Sequence, residues 1–244
     1  MNTEADPDIV IYPRKNKNEK DIPEEGILFV NPTEASIELN KWQEKGAEQR
    51  FLFNSSLYVQ EGEKFICGPA IGAPMAALTL EKLIALGAKK IILFGWCGAL
   101  SRQLQVGDIL VPHLALSGEG TSRYYELAGS PAGPDEVLRS KITMLLNKNG
   151  LEVHDGCVWS TDAVYREKRS FLTILHKEQG VDAIDMEFSA LCSVARFRGV
   201  SFAAVLVVSD EIWGGSWRPG FSSKVFKKRT ADARQLLINN IIGR

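Results

Sequence analysis

Residues 201–208 read SFAAVLVV, a run of mostly apolar side chains that ends in the polar triplet SDE at residues 209–211. Such a run predicts a strand that is buried on both faces, as strands in the middle of a parallel sheet are. A second apolar run, KIILF at residues 90–94, leads straight into GWCG at residues 95–98. Both runs predict buried strands that end in glycines or acids.

Helical patterns lie between the predicted strands. Residues 73–86 carry an apolar face and stop at Gly87, and residues 186–198 form a second helical stretch. This alternation predicts an α/β protein, a single-domain three-layer α/β/α sandwich with a mixed central sheet. Residues 1–25 are polar and interrupted by prolines. We therefore expect an N-terminal arm over 1–25 and one folded domain over 26–244.

The composition narrows the classes of partner and compartment. Of the 244 residues, 45% are hydrophobic and 24% are charged, and the formal net charge is −1. A net charge this close to zero gives no overall electrostatic attraction to nucleic acid or to a membrane. The four cysteines form no C-x-x-C pair and lie in apolar surroundings, which favours reduced thiols over disulfides or a metal site. With no signal-peptide pattern, a cytoplasmic protein is expected.

Two acidic segments stand at predicted element boundaries: DME at residues 185–187 opens a helix, and SD at residues 209–210 ends a strand. The first is typical of a helix N-terminus, and the second of an N-cap. Alternatively, a carboxyl at the end of a buried strand can face a pocket and act as a general acid. Glycines or polar residues also end strands at 68–72, 95–98 and 160–166. Ligands of open α/β sheets bind beyond such strand ends, so a shared pocket is expected.

The ordered set of motifs resembles the nucleoside phosphorylase superfamily, which includes purine nucleoside and uridine phosphorylases and methylthioadenosine nucleosidase. The matching segments are GPAIGAP (68–74), GWCGAL (95–100), VGDILVP (106–112), EGTSRYY (119–125), STDAVY (160–165), DME (185–187) and VSD (208–210). The resemblance covers roughly residues 25–240. It implies cleavage of the N-glycosidic bond of a nucleoside, through a ribosyl oxocarbenium-like transition state.

The resemblance also implies roles for individual residues. Glu187 would hold the ribose hydroxyls and stabilise the developing positive charge, and Met186 would lie under the ribose. Asp210 would protonate the leaving base, and its presence favours a purine. The other residues of the predicted substrate site are Tyr165, which could stack on the base, and Asp185, Gly98 and Ser209.

The phosphate-binding positions of the family are not matched in this sequence. The turn after the first predicted strand, VNP at residues 30–32, is followed by no arginine. Leu93 stands where the family has a second arginine, and Trp96 stands where it has a small hydroxyl residue. Losing two guanidinium groups removes bidentate phosphate recognition. We therefore expect weak phosphate dependence.

A substitute anion site is predicted from the residues that remain. Backbone N–H groups at Gly68, Gly95 and Gly98 could form an anion-binding nest, which Trp96 would crowd. Arg123 or Arg166 could supply a relocated cation. Inorganic phosphate is thus a candidate co-substrate, and no metal or organic cofactor is implied.

Two alternatives to a phosphorylase stay open at this point. One is a nucleosidase that uses water, and the other is a catalytically silent nucleoside-binding protein on the same scaffold. A dinucleotide-binding protein is disfavoured because no G-x-G-x-x-G follows a first strand. The resemblance further implies a small-molecule nucleoside as partner and a homo-oligomer, either a dimer or a hexamer.

Overall fold

The computed structural model describes residues 8–53, 55–60, 64–125 and 132–240. Residues 1–7 of the predicted arm and the end of the predicted domain, residues 241–244, lie outside the described residues. The strands are β1 (Glu25–Phe29), β2 (Glu48–Leu52), β3 (Ser55–Gln60), β4 (Lys64–Gly68), β5 (Lys90–Ala99), β6 (Ile109–Leu110), β7 (Leu114–Gly118), β8 (Val153–His154), β9 (Cys157–Thr161), β10 (Val181–Asp185), β11 (Ser201–Glu211) and β12 (Arg218–Pro219). The α-helices are α1 (Pro32–Glu44), α2 (Ala73–Ala85), α3 (Glu136–Lys148), α4 (Arg169–Gln179), α5 (Phe188–Arg198) and α6 (Lys224–Asn240).

The strands join one mixed sheet around β5. Its path runs β2-β3-β4-β1-β5-β10-β9-β7, and β11 pairs with the other side of β5. β5 is parallel to β1 and to β11 but antiparallel to β10. The predicted α/β fold with a mixed central sheet is therefore confirmed.

Helices cover both faces of the sheet. Side chains alternate along β11, so that Val205 and Val207 pack with α1, α3 and α6, whereas Ala204 and Leu206 pack with α2 and α5. All four side chains are fully buried, as the continuous apolar run predicts. The three-layer arrangement is thus confirmed, and none of the helices in the described ranges is long and apolar enough to cross a membrane.

The structure corrects several predicted elements. GWCG at residues 95–98 was predicted to end the strand over residues 90–94, but it belongs to β5, whose pairing with β11 continues to Gly98↔Asp210 and Ala99↔Glu211. Neighbour pairing here overrides the weak strand preference of glycine. The predicted helix over residues 186–198 begins two residues later, at Phe188, and α4 and β10 were not predicted at all.

Candidate functional site

A cavity of about 1530 Å³ opens where β5, β9, β10 and β11 end. Strand ends of an α/β sheet are the usual place for a ligand, because backbone and loop groups converge there. Met186 and Glu187, at the end of β10, and Ser209 and Asp210, near the end of β11, all line it. The acidic segments that are far apart in the sequence therefore meet at one cavity, as predicted.

Glu187 stands at the N-cap position of α5 and is only 6% exposed. Its Oε1 accepts a hydrogen bond of 2.6 Å from the N–H of Gly72, which precedes α2. Gly72 has a φ of 80°, a conformation that favours glycine. Burial and the charge of Asp185 raise the pKa of Glu187 to about 8, although hydrogen bonds from backbone N–H groups oppose the rise. The carboxyl is thus fixed in position, and its burial makes it costly to ionise.

Asp185, 5% exposed, fixes the start of α5. Its Oδ1 accepts a hydrogen bond of 2.5 Å from the Ser160 hydroxyl. Its Oδ2 accepts from the N–H groups of Glu187 (3.2 Å) and Phe188 (2.7 Å). Burial raises the pKa of Asp185 to about 6, and these hydrogen bonds oppose the rise. Asp185 lines the cavity, but both its oxygens are engaged within the protein, so its clearest role is to position the backbone of Glu187.

Asp210 is held on both carboxylate oxygens near the end of β11. Oδ1 accepts a hydrogen bond of 2.7 Å from the Ser209 hydroxyl, and Oδ2 accepts one of 2.8 Å from the indole N–H of Trp217. Gly98 leaves room for this carboxylate on β5, because a Cβ there would lie 3.2 Å from Oδ2. The structure thus brings together Asp210, Ser209 and Gly98, as the sequence predicts.

Glu167 is a cavity residue that the sequence analysis missed. Every other residue in the segment 162–171 is exposed, whereas Glu167 is half-buried and lines the cavity. Burial and the negative charge of Asp210 raise the pKa of Glu167 to about 7. No sequence motif marked Glu167. Only the folded structure shows that the carboxyl groups of Glu167 and Asp210 share this part of the cavity.

Aromatic and guanidinium groups make the rim of the cavity. Trp213 stacks beneath Arg102 and Arg218, with 5.5 Å and 5.0 Å from guanidinium carbon to ring centroid. Arg169 donates a hydrogen bond to the carbonyl of Gly215. The arginines that line the cavity in the described ranges, Arg102 and Arg169, therefore both contact the loop 212–217.

The remaining predicted substrate residues lie at the cavity with different exposures. Met186 is half-buried in its lining. Tyr165 also lines it, but its side chain is fully exposed at 101%. Base stacking by Tyr165 stays a prediction, because no contact within the described ranges holds its ring against the cavity.

The predicted anion site is not assembled within the described part of the chain. Gly68 and Gly95 are buried strand residues outside the cavity lining. Arg123 and Arg166 are exposed and also lie outside that lining, and Arg123 stacks on Tyr124 at 4.9 Å. Among the described residues, no group of three or more side chains could hold a metal ion.

Trp96 occupies the cavity wall at the predicted hydroxyl position. Its ring packs edge-on against Phe226 at 5.1 Å and lies 5.8 Å from Phe221. Its indole N–H is buried with no hydrogen-bond partner in the described ranges. Leu93, at the predicted arginine position, is fully buried in the core. Apolar bulk therefore fills the positions where the resemblance would place phosphate ligands.

Comparison with known proteins identifies the family. Residues 27–241 match the model of the phosphorylase superfamily. A guanosine phosphorylase from Halorubrum lacusprofundi is 30% identical over 167 residues, which make up 68% of this chain and 69% of that protein. A purine nucleoside phosphorylase from Toxoplasma gondii has a TM-score of 0.77 at 21% identity and covers 89% of this chain and 90% of its own. An AMP nucleosidase from Bacteroides thetaiotaomicron has a TM-score of 0.70 at 22% identity, with 90% of each chain covered. The predicted resemblance is confirmed, and this chain belongs to the phosphorylase superfamily.

Proposed function

We propose that this enzyme cleaves the N-glycosidic bond of a purine nucleoside. The observation that supports the proposal most strongly is the pair of carboxyl groups, Glu187 and Asp210, that face one cavity from two different strand ends. The coarser assignment, an enzyme of the nucleoside phosphorylase or nucleosidase kind, rests on the family match and on the guanosine phosphorylase relative. Asp210 argues against a catalytically silent binding protein, because an acid beside the leaving base serves bond cleavage, whereas Glu187 could also serve binding alone.

Glu187 is the residue that we assign to the ribose. When the glycosidic bond stretches, positive charge develops on the sugar, and a fixed carboxylate beside it stabilises that charge. The N–H of Gly72 holds one carboxylate oxygen at 2.6 Å, so little reorganisation is needed as the charge appears. Met186, next to it in the cavity lining, offers a polarizable apolar contact for the sugar ring.

The base belongs at the other end of the cavity, beside Asp210. A leaving purine takes up electrons as the bond breaks, so an acid near its ring nitrogens makes it a better leaving group. Asp210 and Glu167 lie in this part of the cavity, and both belong to its lining. Tyr165 is exposed at the same rim and is the proposed stacking partner.

For the fate of the sugar, we propose that hydrolysis predominates over phosphorolysis. Trp96 fills its part of the wall with an indole packed on Phe226, and buried Leu93 cannot contact an anion. A phosphate with close to two negative charges needs several donors before it leaves water. These positions favour water as the nucleophile, or phosphate bound weakly.

We also propose a homo-oligomer in the cytoplasm. Large apolar side chains are exposed beside the cavity, with Tyr165 at 101% and Ile71 at 52%. A second copy that covers them would complete the rim of the site. The cytoplasmic assignment is supported by the four cysteines, which are buried and free.

A nucleoside panel tests the proposed function. Free base released from guanosine, inosine, adenosine, uridine and cytidine is measured by chromatography, with and without phosphate. We expect release from at least one purine nucleoside, at least ~10-fold faster than from the pyrimidine nucleosides, and loss of that activity in Glu187→Gln. Glu178→Gln, an exposed residue of α4 outside the cavity lining, is the matched control and should stay active. Release of no base from any nucleoside would refute the proposal.

A further inference from the structure

The carboxyl group of Glu119 is buried next to the helix that begins beside Glu187. Glu119 directly follows β7, is 7% exposed and lies outside the cavity lining of the described residues. We propose that Glu119 is a positioning residue, which fixes the place of Glu187 at the ribose through the side chain of Ser189. This inference rests on the proposed function and adds the residues that hold Glu187 in place.

The loop after β7 surrounds the Glu119 carboxylate with donors. Oε1 accepts hydrogen bonds from the hydroxyls of Ser122 and, at 2.8 Å, Ser117. Oε2 accepts from the N–H groups of Thr121 (2.5 Å) and Ser122 (3.0 Å). Burial disfavours the charged form, but these hydrogen bonds outweigh it and lower the pKa of Glu119. The carboxylate is therefore an ionised acceptor that its own loop holds in one position.

One further donor to Glu119 comes from a different element. The Ser189 hydroxyl, in the first turn of α5, donates to Oε1 over 2.9 Å. Ser189 is buried and lies two positions after Glu187. Hydrogen bonds to an ionised acceptor are roughly twice as strong as those between neutral groups. The hydrogen bond between Glu119 and Ser189 therefore ties the first turn of α5 to the loop after β7.

Ser189 also belongs to the hydrogen bonds that hold the backbone of Glu187. Its N–H donates to Ser160 Oγ at 2.9 Å, and the Ser160 hydroxyl donates in turn to Asp185 Oδ1 at 2.5 Å. The other oxygen of Asp185 accepts from the N–H of Glu187 at 3.2 Å. Hydrogen bonds are thus continuous from the Glu119 carboxylate to the start of α5.

The loop after β7 is itself anchored to the sheet beside the cavity. The N–H of Gly120 donates to Asp162 Oδ2 over 2.9 Å. Asp162 follows Thr161, which ends β9 and lines the cavity. β7 runs parallel to β9 and pairs with it as far as Gly118↔Thr161. Glu119 therefore extends from a part of the sheet that is fixed relative to the cavity, and it holds α5 against that part.

The position of the Glu187 carboxylate depends on the first turn of α5. The N–H of Gly72 holds one of its oxygens, but the backbone of Glu187 is held only through the start of the helix. A displacement of about 1 Å in an active site can cost on the order of 10²-fold in rate. Without the Ser189 hydroxyl, α5 loses its link to Glu119 and keeps the other hydrogen bonds. We therefore expect a loss of activity that is smaller than the loss in Glu187→Gln.

Kinetics of Ser189→Ala in two backgrounds test the proposal on a purine nucleoside. In the wild type, Ser189→Ala should lower kcat and kcat/KM by about 10-fold with little change in KM, because it displaces a group that acts in the transition state. In Glu187→Gln, the same substitution should cost less than ~2-fold, because the carboxylate that Ser189 positions is gone. Glu119→Gln, whose amide nitrogen cannot accept a hydrogen bond, should show the same dependence on the background.

The matched control is Ser193→Ala. The Ser193 hydroxyl is also buried in α5, but it donates to the carbonyl of Ser189 at 2.9 Å and not to Glu119. Ser193→Ala should stay within about twofold of its parent in both backgrounds. Urea denaturation checks that each variant is folded. If Glu119→Gln does not fold, Ser189→Ala decides the matter, because it removes a single oxygen atom.

A merely structural role of the Glu119–Ser189 contact predicts a different result. Ser189→Ala would then lower kcat/KM by the same factor in the wild type and in Glu187→Gln. Equal losses in the two backgrounds, or unchanged kinetics in the wild-type background, overturn the inference and leave the proposed function intact. A wild type that releases no base from any nucleoside defeats the proposed function and this inference with it, so the two failures are distinct.

Discussion

Replacing Glu187 by glutamine changes both activity and stability, and it does so in opposite directions. Glutamine keeps the size of a side chain that is 6% exposed and can still accept from the Gly72 N–H, but it carries no charge. Burial and Asp185 raise the pKa of Glu187 from 4.5 to about 8. Ionising Glu187 therefore costs free energy in the folded protein that it does not cost in the unfolded chain.

The sign and the size of the stability change in Glu187→Gln follow from the raised pKa of Glu187. A group whose pKa is raised on folding contributes stability that is complete below pH 4.5 and is lost as the pH rises through about 8. The difference between the two values corresponds to at most about 5 kcal/mol, at roughly 1.4 kcal/mol per pH unit. Relaxation of the site and the persisting charge of Asp185 reduce this. We take about half of this limit, roughly 2.5 kcal/mol, as the remaining effect. At roughly 2–4 °C per kcal/mol for a chain of this length, the expected gain in Tm is about 5–10 °C.

Thermal unfolding at pH 5 and pH 9 measures the effect. At pH 9, Glu187→Gln should melt above the wild type by that amount, and at pH 5 the two should melt almost together. Turnover of a purine nucleoside should fall by about 10²-fold or more. The control Glu178→Gln should match the wild type in both assays, because Glu178 is exposed. A Tm difference that does not change with pH, or a variant with unchanged turnover, would refute the reasoning.

Three further variants probe the surroundings of the carboxyl groups. Asp185→Ala removes the acceptor of the N–H groups of Glu187 and Phe188. The free energy of unfolding, measured by urea denaturation at pH 7, should therefore fall by about 1–3 kcal/mol. An unchanged free energy of unfolding would contradict the capping role. Gly98→Ala places a Cβ 3.2 Å from Asp210 Oδ2, and kcat/KM should drop by roughly 10-fold with a small change in Tm; wild-type kinetics would show that this contact is unimportant. Trp96→Ser enlarges the cavity beside residue 96 and adds a hydroxyl, so the ratio of rates with and without phosphate should rise. An unchanged ratio would show that Trp96 does not limit the use of phosphate.

The sequence predicted the parts of the fold that depend on continuous patterns. The apolar run over residues 201–208 is fully buried in β11 except near Ser201, and the alternation of strands and helices predicted the layers correctly. GWCG at residues 95–98 was predicted wrongly because glycine often ends a strand. Its pairing with Leu206, Val207, Val208 and Asp210 involves residues more than a hundred positions away, which no local pattern shows. Helix α4 does carry a helical pattern, since Leu172 and Leu175 lie on one buried face and Gly180 ends the helix in a left-handed conformation, so this element was predictable from the sequence and was missed.

The residues of the candidate site also fall into those that the sequence predicted and those that only the fold shows. Glu187 and Asp210 were predicted because their segments form part of an ordered set of motifs, and the fold brings both to one cavity. Two contributions depend on the folded chain: the exposed Trp217 donates a hydrogen bond to Asp210 seven positions away, and Glu167 is half-buried in an otherwise exposed segment. Neither relation has a sequence signature. Arg123 and Arg166 were predicted as cations for an anion, but both lie outside the cavity lining of this chain.

Proton NMR of one purine nucleoside incubated with the enzyme and phosphate tests the account most directly. The account predicts that the anomeric H1′ signal of the nucleoside disappears as the signals of free base grow in equal amount, and that Glu187→Gln stops both changes. The sugar should appear mostly as free ribose, with ribose 1-phosphate in the minority. Equal loss and gain in the Glu187→Gln sample, or a nucleoside whose H1′ signal stays unchanged with the wild type for every purine tested, would contradict it.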